Sequence, residues 1–143
     1  MPDLPAALRR AVVTRAGRRC EYCLIAEEDT FLDCQVDHII SRKHGGTDAL
    51  SNLALACAAC NRRKGADIGS LDRAGNFTRF FNPRVDVWRT HFRVSGAMIE
   101  PLTAIGSATG RIFAFNSPER LSERLPLVAQ RRYPPPRRRT ARP

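Results

Sequence analysis

The apolar residues near the start of the chain recur with the spacing of one face of a helix. Leu8, Val12 and Val13 fall on a single stripe within residues 5–16, which is the pattern of an amphipathic helix. Gly17 follows directly, and glycine commonly ends a helix because it adopts the left-handed conformation without a steric penalty. We therefore predict a helix over residues 5–16 that ends at Gly17.

The middle of the chain carries shorter apolar segments. Residues 31–36 and residues 38–41 have the composition of short strands, and together they predict a hairpin-like unit. A second helix is predicted within residues 57–64, where the last cysteine pair is followed by polar and basic residues.

Residues 71–116 form a second stretch with its own pattern. Aromatic and aliphatic residues lie on both sides of Ser95 and Gly96, which predicts two strands that pair across this turn. Thr103 precedes a helical pattern over residues 104–115, and threonine is a favourable N-cap residue. We expect a β-hairpin and a helix that extend the preceding part of the chain.

The C-terminal part changes in character. Ser117 and Pro118 predict the start of a short helix, and Pro126 should interrupt it, because a proline inside a helix removes a backbone hydrogen bond. From Arg131 onward the chain has six arginines, four prolines and no acidic residue, which predicts a disordered or polyproline-like tail. Such a tail either holds DNA by its charge or only keeps the chain in solution.

The charge of the chain favours a polyanionic partner. Lys and Arg number 24 against 14 Asp and Glu, a formal net charge of +10, and binding to a polyanion should weaken as salt rises. Basicity alone would equally suit a ribosomal or membrane-surface protein. No apolar run approaches the ~20 residues of a membrane span, and the first residues lack the apolar segment of a signal peptide. We expect no membrane partner and a cytoplasmic location.

Four of the five cysteines form two pairs with a gap of two residues. Cys20 and Cys23, with Cys57 and Cys60, have the double-knuckle spacing of a tetrahedral zinc site. Two disulfides or four unrelated buried cysteines are the alternatives, although disulfides suit secreted chains. Four thiolates leave the ion no open position, so we predict a structural zinc. Cys34 is left over and is expected to be a small buried apolar residue.

Several short motifs follow one another between the two cysteine pairs and just after the second pair. Asp-His, Gly-Gly, Asn-Leu and Cys-x-x-Cys-Asn-x-x-Lys all lie in the run DHIISRKHGGTDALSNLALACAACNRRKG, residues 37–65. This run resembles the HNH endonuclease family, whose core is the ββα-metal, or His-Me, finger. The resemblance covers residues 9–65 closely. It implies a metal-dependent nuclease whose products carry a 3′-hydroxyl and a 5′-phosphate.

The resemblance also implies a role for each matching residue. His38 matches the general base that takes a proton from the attacking water. Asn52 matches the asparagine that pins the loop and keeps the imidazole aimed. Asp37 and Asn61 match two ligands of the catalytic divalent metal, Mg²⁺ or Mn²⁺.

Four basic residues are candidates for contact with nucleic acid: Lys64, Arg62, Arg63 and Lys43. Lys64 matches the trailing lysine of the family motif. In a helix it would share a face with Asn61, since residues three apart are neighbours, and it would then face the phosphate. The alternative for the arginines is an ordinary solvated basic face.

Hydrolysis of a phosphodiester requires the residue types that the motif supplies. A divalent cation neutralises charge that grows in the transition state, and Mg²⁺ needs only one or two protein oxygens. A neutral imidazole can accept a proton from water at pH 7. Asp37 and His38 are adjacent, so on a regular strand they would point to opposite faces, and we expect them at a strand end or a bend. The alternatives are that the pair makes only a structural loop contact, or that the fold has lost its activity.

The sequence as a whole predicts an α+β fold, with a small ββα-metal core held by a four-cysteine zinc site and a C-terminal β/α extension. The predicted divisions are residues 1–68 for the core, 69–116 for the extension packed on it, and 117–143 for a short helix and the basic tail. The predicted function is hydrolysis of phosphodiester bonds in double-stranded DNA. A nuclease acting on RNA and a non-catalytic, zinc-dependent nucleic-acid-binding module are the alternatives.

Overall fold

The computed structural model describes residues 3–136. Its first helix, α1, spans Ala6–Ala16 and confirms the prediction for this segment. Gly17 ends α1 in the left-handed conformation, with φ of 63°, which glycine adopts without strain. Val12 is the buried residue of α1, and the helix packs against the second strand of the unit that follows.

The central unit is a two-stranded antiparallel sheet followed by a short helix. Strand β1, Gln35–His38, pairs with strand β2, Leu53–Ala56, so that Asp37 lies opposite Ala54. Helix α2, Ala58–Lys64, comes almost directly after β2. All four residues of β2 are buried, since the strand contacts both α1 and α2. The predicted ββα arrangement within an α+β fold is therefore confirmed.

The position of the strands differs from the prediction. Residues 31–34 are not a strand, and Phe31 and Leu32 are exposed. The partner of β1 is β2, whereas residues 38–41 were predicted to pair with it. The predicted hairpin is therefore wrong, because the two strands are joined by a long loop rather than by a tight turn.

The extension contains two antiparallel strand pairs and two helices. The hairpin predicted around Ser95 and Gly96 is confirmed, and Thr103 caps the following helix by accepting a hydrogen bond from the Gly106 amide. This helix ends at Ile112, earlier than predicted. The elements are β3 (Gly69–Leu71), β4 (Phe77–Arg79), α3 (Trp88–His91), β5 (Phe92–Ser95), β6 (Met98–Pro101) and α4 (Ala104–Ile112). Strand β3 pairs with β4, and β5 pairs with β6.

The last helix is longer than the sequence predicts. Helix α5, Pro118–Ala129, begins where the sequence predicts, with Ser117 as its N-cap, but it continues through Pro126. The predicted disorder from Arg131 onward is wrong for Tyr133, whose side chain is 2% exposed. The rest of the predicted tail, residues 137–143, lies outside the described residues.

One continuous core joins the zinc knuckles to the extension. The ring of Tyr22, which lies inside the first cysteine pair, packs edge to face on Phe113 at 5.1 Å, and Phe80 packs on the same ring at 5.2 Å. Trp88 donates a hydrogen bond from Nε1 to the Tyr22 carbonyl at 2.8 Å. Aromatic side chains from the extension therefore belong to the same buried core as the four cysteines.

Candidate active site and metal centre

The four paired cysteines converge at one buried point. The sulfurs of Cys20, Cys23, Cys57 and Cys60 all lie within 4.8 Å of one another. The Cys23 and Cys57 sulfurs are 3.7 Å apart, which is close to the sulfur–sulfur edge of about 3.8 Å in a tetrahedral site with Zn–S bonds of about 2.3 Å. This separation is too long for a disulfide.

The backbone around the cluster suits sulfur ligands that carry negative charge. The amide of Cys23 points at the Cys20 sulfur at 3.4 Å, and the amide of Cys60 points at the Cys57 sulfur at 3.5 Å. Burial raises the pKa of the Cys20 and Cys60 thiols, whereas hydrogen bonds from the neighbouring thiols lower the pKa of Cys23. Four buried thiols this close ionise together only around a cation, so the cluster indicates a structural zinc site.

Asp37 is a residue of β1 whose side chain is buried against α2. Its carboxylate is 5% exposed and accepts hydrogen bonds from the Tyr22 hydroxyl at 2.7 Å and from Lys64 Nζ at 3.2 Å. Burial raises the pKa of the Asp37 carboxyl, and Lys64 and Tyr22 offset this only in part. Burial therefore outweighs the stabilisation that Lys64 and Tyr22 give to the charged form of Asp37.

Asn61 lies on the same face of α2 as Lys64 and faces the same strand. Its Nδ2 donates to Gln35 Oε1 at 2.5 Å. Gln35 and Asp37 are two residues apart on β1, so their side chains share one face of the strand. Asn61 and Asp37 therefore line the same interface between β1 and α2, where the Asn61 carbonyl oxygen is not used by the bond to Gln35. A carboxylate and an amide oxygen are ligands that suit Mg²⁺.

His38 is the last residue of β1, directly after Asp37, at the point where the strand ends. Its Nε2 lies 2.8 Å from Asp48 Oδ1, and its side chain is 19% exposed. Arg42 donates from Nε to the same carboxylate oxygen at 3.0 Å. The bonds from His38 and Arg42 lower the pKa of Asp48. Asp48 is therefore an ionised acceptor that fixes one nitrogen of the imidazole.

Asn52 ties the loop between β1 and β2 to the end of β1. Its Oδ1 accepts from the Ile40 amide at 2.9 Å, and its Nδ2 donates to the carbonyls of Ile40 and Thr47 at 2.9 and 2.8 Å. Gly46 allows this close approach, because a Cβ there would lie 1.7 Å from the Ile40 carbonyl oxygen. The loop that carries Asp48 is thereby held beside His38.

The four predicted nucleic-acid contacts divide into two groups. Arg62, Arg63 and Lys43 are exposed, so their side chains are accessible to a phosphate backbone. Lys64 is 2% exposed, and its ammonium binds Asp37 and the His38 carbonyl. The prediction that Lys64 faces a phosphate is therefore wrong for this structure, because the lysine side chain turns inward from the end of α2 to compensate a buried carboxylate.

Two residues of the site, Tyr22 and Asp48, could not be predicted from the sequence. Tyr22 lies between two zinc ligands, where an aromatic residue carries no signal of a partner carboxylate. Asp48 lies ten residues after His38 on an irregular loop, so no periodicity relates the two. Only the Gly-Gly that precedes it indicates a compact loop, and that signal does not say which side chain reaches the imidazole.

Comparison with protein families supports the resemblance seen in the sequence. Residues 20–67 match the family model of the HNH endonucleases, and this segment contains all four zinc-site cysteines, β1, β2 and α2. Residues 20–67 are therefore similar to the HNH endonuclease domain, which suggests an activity directed at nucleic acid. No curated protein and no solved structure matches the chain.

A membrane span is not found among the described residues. None of the helices between residues 3 and 136 is both long enough and apolar enough to cross a bilayer.

Proposed function

We propose that the protein is a metal-dependent endonuclease that hydrolyses phosphodiester bonds in double-stranded DNA. The observation that carries the proposal is the environment of His38 within a segment of the HNH family. Asp48 holds Nε2 of the imidazole, and among residues 3–136 no hydrogen-bond partner engages Nδ1. One nitrogen is fixed and the other is available, which is the arrangement that a general base requires.

In the proposed reaction His38 activates the attacking water. Nδ1 accepts a proton from the water as its oxygen attacks the phosphorus. The bond between the phosphorus and the 3′-oxygen breaks, and the leaving 3′-oxygen takes a proton from solvent, which gives a 3′-hydroxyl and a 5′-phosphate. The Nε2–H bond to Asp48 keeps the required tautomer and stabilises the imidazolium that forms. A positioned general base contributes typically about 10²- to 10⁴-fold in rate. Asn52 would serve this step indirectly, because it holds the loop that carries Asp48.

Asp37 and Asn61 would hold the catalytic divalent metal. They supply one carboxylate and one amide oxygen at the interface of β1 and α2, and each Asp37 oxygen retains acceptor capacity beyond its single hydrogen bond. When bound, Mg²⁺ or Mn²⁺ would neutralise the phosphate and stabilise the leaving oxygen.

The exposed basic residues would position the substrate. Arg62 and Arg63 lie on the outer side of α2, next to Asn61, and Lys43 lies on the loop after His38. Contacts of this kind bind the phosphate backbone and carry no direct sequence information. Binding should therefore weaken steeply with salt.

A plasmid assay tests the proposal. Supercoiled DNA and a structured RNA are incubated with the zinc-loaded protein in Mg²⁺, in Mn²⁺ and in EDTA followed by renewed Mg²⁺. Nicked or linear DNA is expected with either metal, and His38→Ala should lose at least about a hundredfold in rate while it keeps its fold. His44→Ala is the matched control, since His44 is an exposed histidine of the same loop and has no assigned role. Cleavage by His38→Ala at the parent rate would refute His38 as the general base. Cleavage of RNA without cleavage of DNA would show that the substrate is RNA.

A non-catalytic nucleic-acid-binding module is the second candidate. The observation that favours it is the enclosure of Asp37, which is 5% exposed and has a hydrogen bond on each oxygen. Such a module would retard plasmid DNA in a gel without changing strand lengths under any metal condition. The same plasmid assay therefore separates the two functions.

A further inference from the structure

A buried arginine from the last helix points at the cysteine cluster. Arg120, in the first turn of α5, is 6% exposed. Its Nη2 lies 3.2 Å from the Cys60 sulfur and 3.8 Å from the Cys57 sulfur, and its Nη1 donates to the Phe113 carbonyl at 3.0 Å. The guanidinium also lies over the Phe115 ring, 5.9 Å from its centre.

The charge of the cluster explains why an arginine lies there. Four thiolates around one divalent ion carry a formal charge of minus two, and a buried charge is unfavourable unless it is paired. A guanidinium stays protonated when buried and donates several N–H groups in a fixed plane.

A second contact ties the same segment to the other cysteine pair. The Tyr133 hydroxyl, four residues beyond the end of α5, donates to the Cys23 carbonyl at 2.8 Å. Tyr133 is buried, and Arg124 lies 5.8 Å from the centre of its ring. Arg120 and Tyr133 therefore contact the second and the first cysteine pair, respectively. The segment that carries them lies wholly outside residues 20–67, the part of the chain that matches the HNH family.

We propose that Arg120 is the buried counter-charge of the four-cysteine metal site, which makes α5 a functional part of the zinc module of this protein. The inference rests on the zinc site and is independent of the nuclease activity. Partners that donate hydrogen bonds to metal ligands typically change metal affinity by about 10- to 100-fold when they are replaced. Arg120 should act in the same way through the Cys57 and Cys60 sulfurs.

Zinc affinity of the full-length chain tests the proposal. Bound zinc is titrated against a chromophoric chelator for the parent, Arg120→Met and Arg120→Lys. Arg120→Met keeps an apolar stem without the charge and should weaken zinc binding by at least about tenfold. Arg120→Lys keeps the charge and should recover part of the loss. Arg124→Met is the matched control, because Arg124 is a fully buried arginine of the same helix that donates to the carbonyls of Ala97 and Phe115 and to no sulfur.

The comparison between the two arginines decides the outcome. Parent-like zinc affinity in Arg120→Met, or an equal loss in Arg124→Met, would overturn the proposal, because packing of α5 alone would then account for the effect. A parent chain that binds no zinc would overturn it as well. Inactivity on DNA with normal zinc binding would refute the nuclease and leave this inference standing.

Cobalt substitution gives a readout that does not require the methionine variant to fold. Co²⁺ bound by thiolates shows sulfur-to-metal charge-transfer bands, and a hydrogen bond to sulfur moves them to shorter wavelength. Arg120→Lys should shift these bands to longer wavelength relative to the parent, because the ammonium does not reproduce the geometry of the guanidinium. Unchanged bands in Arg120→Lys would contradict a direct contact between Arg120 and the ligating sulfurs.

Discussion

Replacement of Lys64 should destabilise the fold, although a lysine at the end of a basic helix is ordinarily a surface residue. Lys64 and Asp37 are 2% and 5% exposed, and their charged atoms are 3.2 Å apart. At an effective dielectric constant of about 20, this separation corresponds to an attraction of about 5 kcal/mol. Removal of one partner of a buried pair typically costs about 3–5 kcal/mol, because the other charge stays behind.

Protonation of the remaining carboxylate sets an upper limit on the loss. At pH 7 a carboxyl with an ordinary pKa of about 3.9 can be neutralised for about 4 kcal/mol. Burial already raises the pKa of Asp37, which makes neutralisation easier still. We therefore expect Lys64→Met to lose about 3 kcal/mol in the free energy of unfolding, and we expect Asp37→Asn/Lys64→Met to lose less than the sum of the single variants.

Urea unfolding with saturating zinc and without Mg²⁺ measures this effect. Lys43→Met is the matched control, since Lys43 is exposed and is the other lysine of the chain. It should change the unfolding free energy by less than about 0.5 kcal/mol. Added Mg²⁺ should stabilise Lys64→Met more than the parent if Asp37 is a metal ligand. If Lys64→Met is as stable as Lys43→Met, the buried ion pair is refuted and Lys64 is a surface residue.

Three further outcomes are expected. Cys20→Ser should lose both zinc and the folded circular-dichroism spectrum, because structural zinc sites supply folding free energy directly; a folded, zinc-loaded variant would exclude Cys20 as a ligand. Burial raises the pKa of Cys34 to about 12, so at pH 8 iodoacetamide should modify it roughly a hundredfold more slowly than an unhindered cysteine. The rate of modification, measured by mass spectrometry, should still rise above pH 10, and a rate that levels off near pH 8.5 would contradict the raised pKa. Asp48→Ala should lower kcat at least roughly tenfold with little change in KM, and equal kcat in a nicking assay would remove Asp48 from the mechanism.

The cysteine spacing carried most of what could be predicted about this fold. Two Cys-x-x-Cys pairs restrict the chain to a geometry that four sulfurs and one ion define, so the convergence of Cys20 and Cys57 follows from the sequence alone. Helix α1 could be predicted equally well, because its apolar spacing and the position of Gly17 indicate the same limits for the helix. In both cases local sequence and tertiary structure favour the same conformation.

Strand β2 could not be placed from the sequence for the opposite reason. Its residues, Leu53–Ala56, are buried on both faces, so they show no alternation, and a short apolar run of this kind does not distinguish a strand from a helix. Phe31 has a high strand propensity, yet Phe31 and its neighbour Leu32 are exposed. Propensity therefore indicated the wrong partner for β1, and burial by α1 and α2 determined the correct one.

The inward turn of Lys64 illustrates a limit of motif matching. The family motif gives the position of a lysine on α2, but it does not give the direction of a side chain with four rotatable bonds. That direction depends on Asp37 and Tyr22, which belong to other elements and together form a buried polar site. A charged side chain near such a site is drawn inward, because the carboxylate would otherwise be buried without compensation.

The geometry of α2 connects the zinc site to the proposed active site. The helix has seven residues, and isolated helices shorter than about 12 residues are only marginally stable in water. Its first end is fixed by Cys57 and Cys60 at the cluster, and its last residue, Lys64, is fixed by Asp37. Asn61 lies between these two anchors, so its amide is positioned from both ends. Loss of either anchor should displace Asn61 from β1. The structural zinc and Lys64 therefore support the proposed site by positioning α2, although neither takes a direct part in the proposed chemistry.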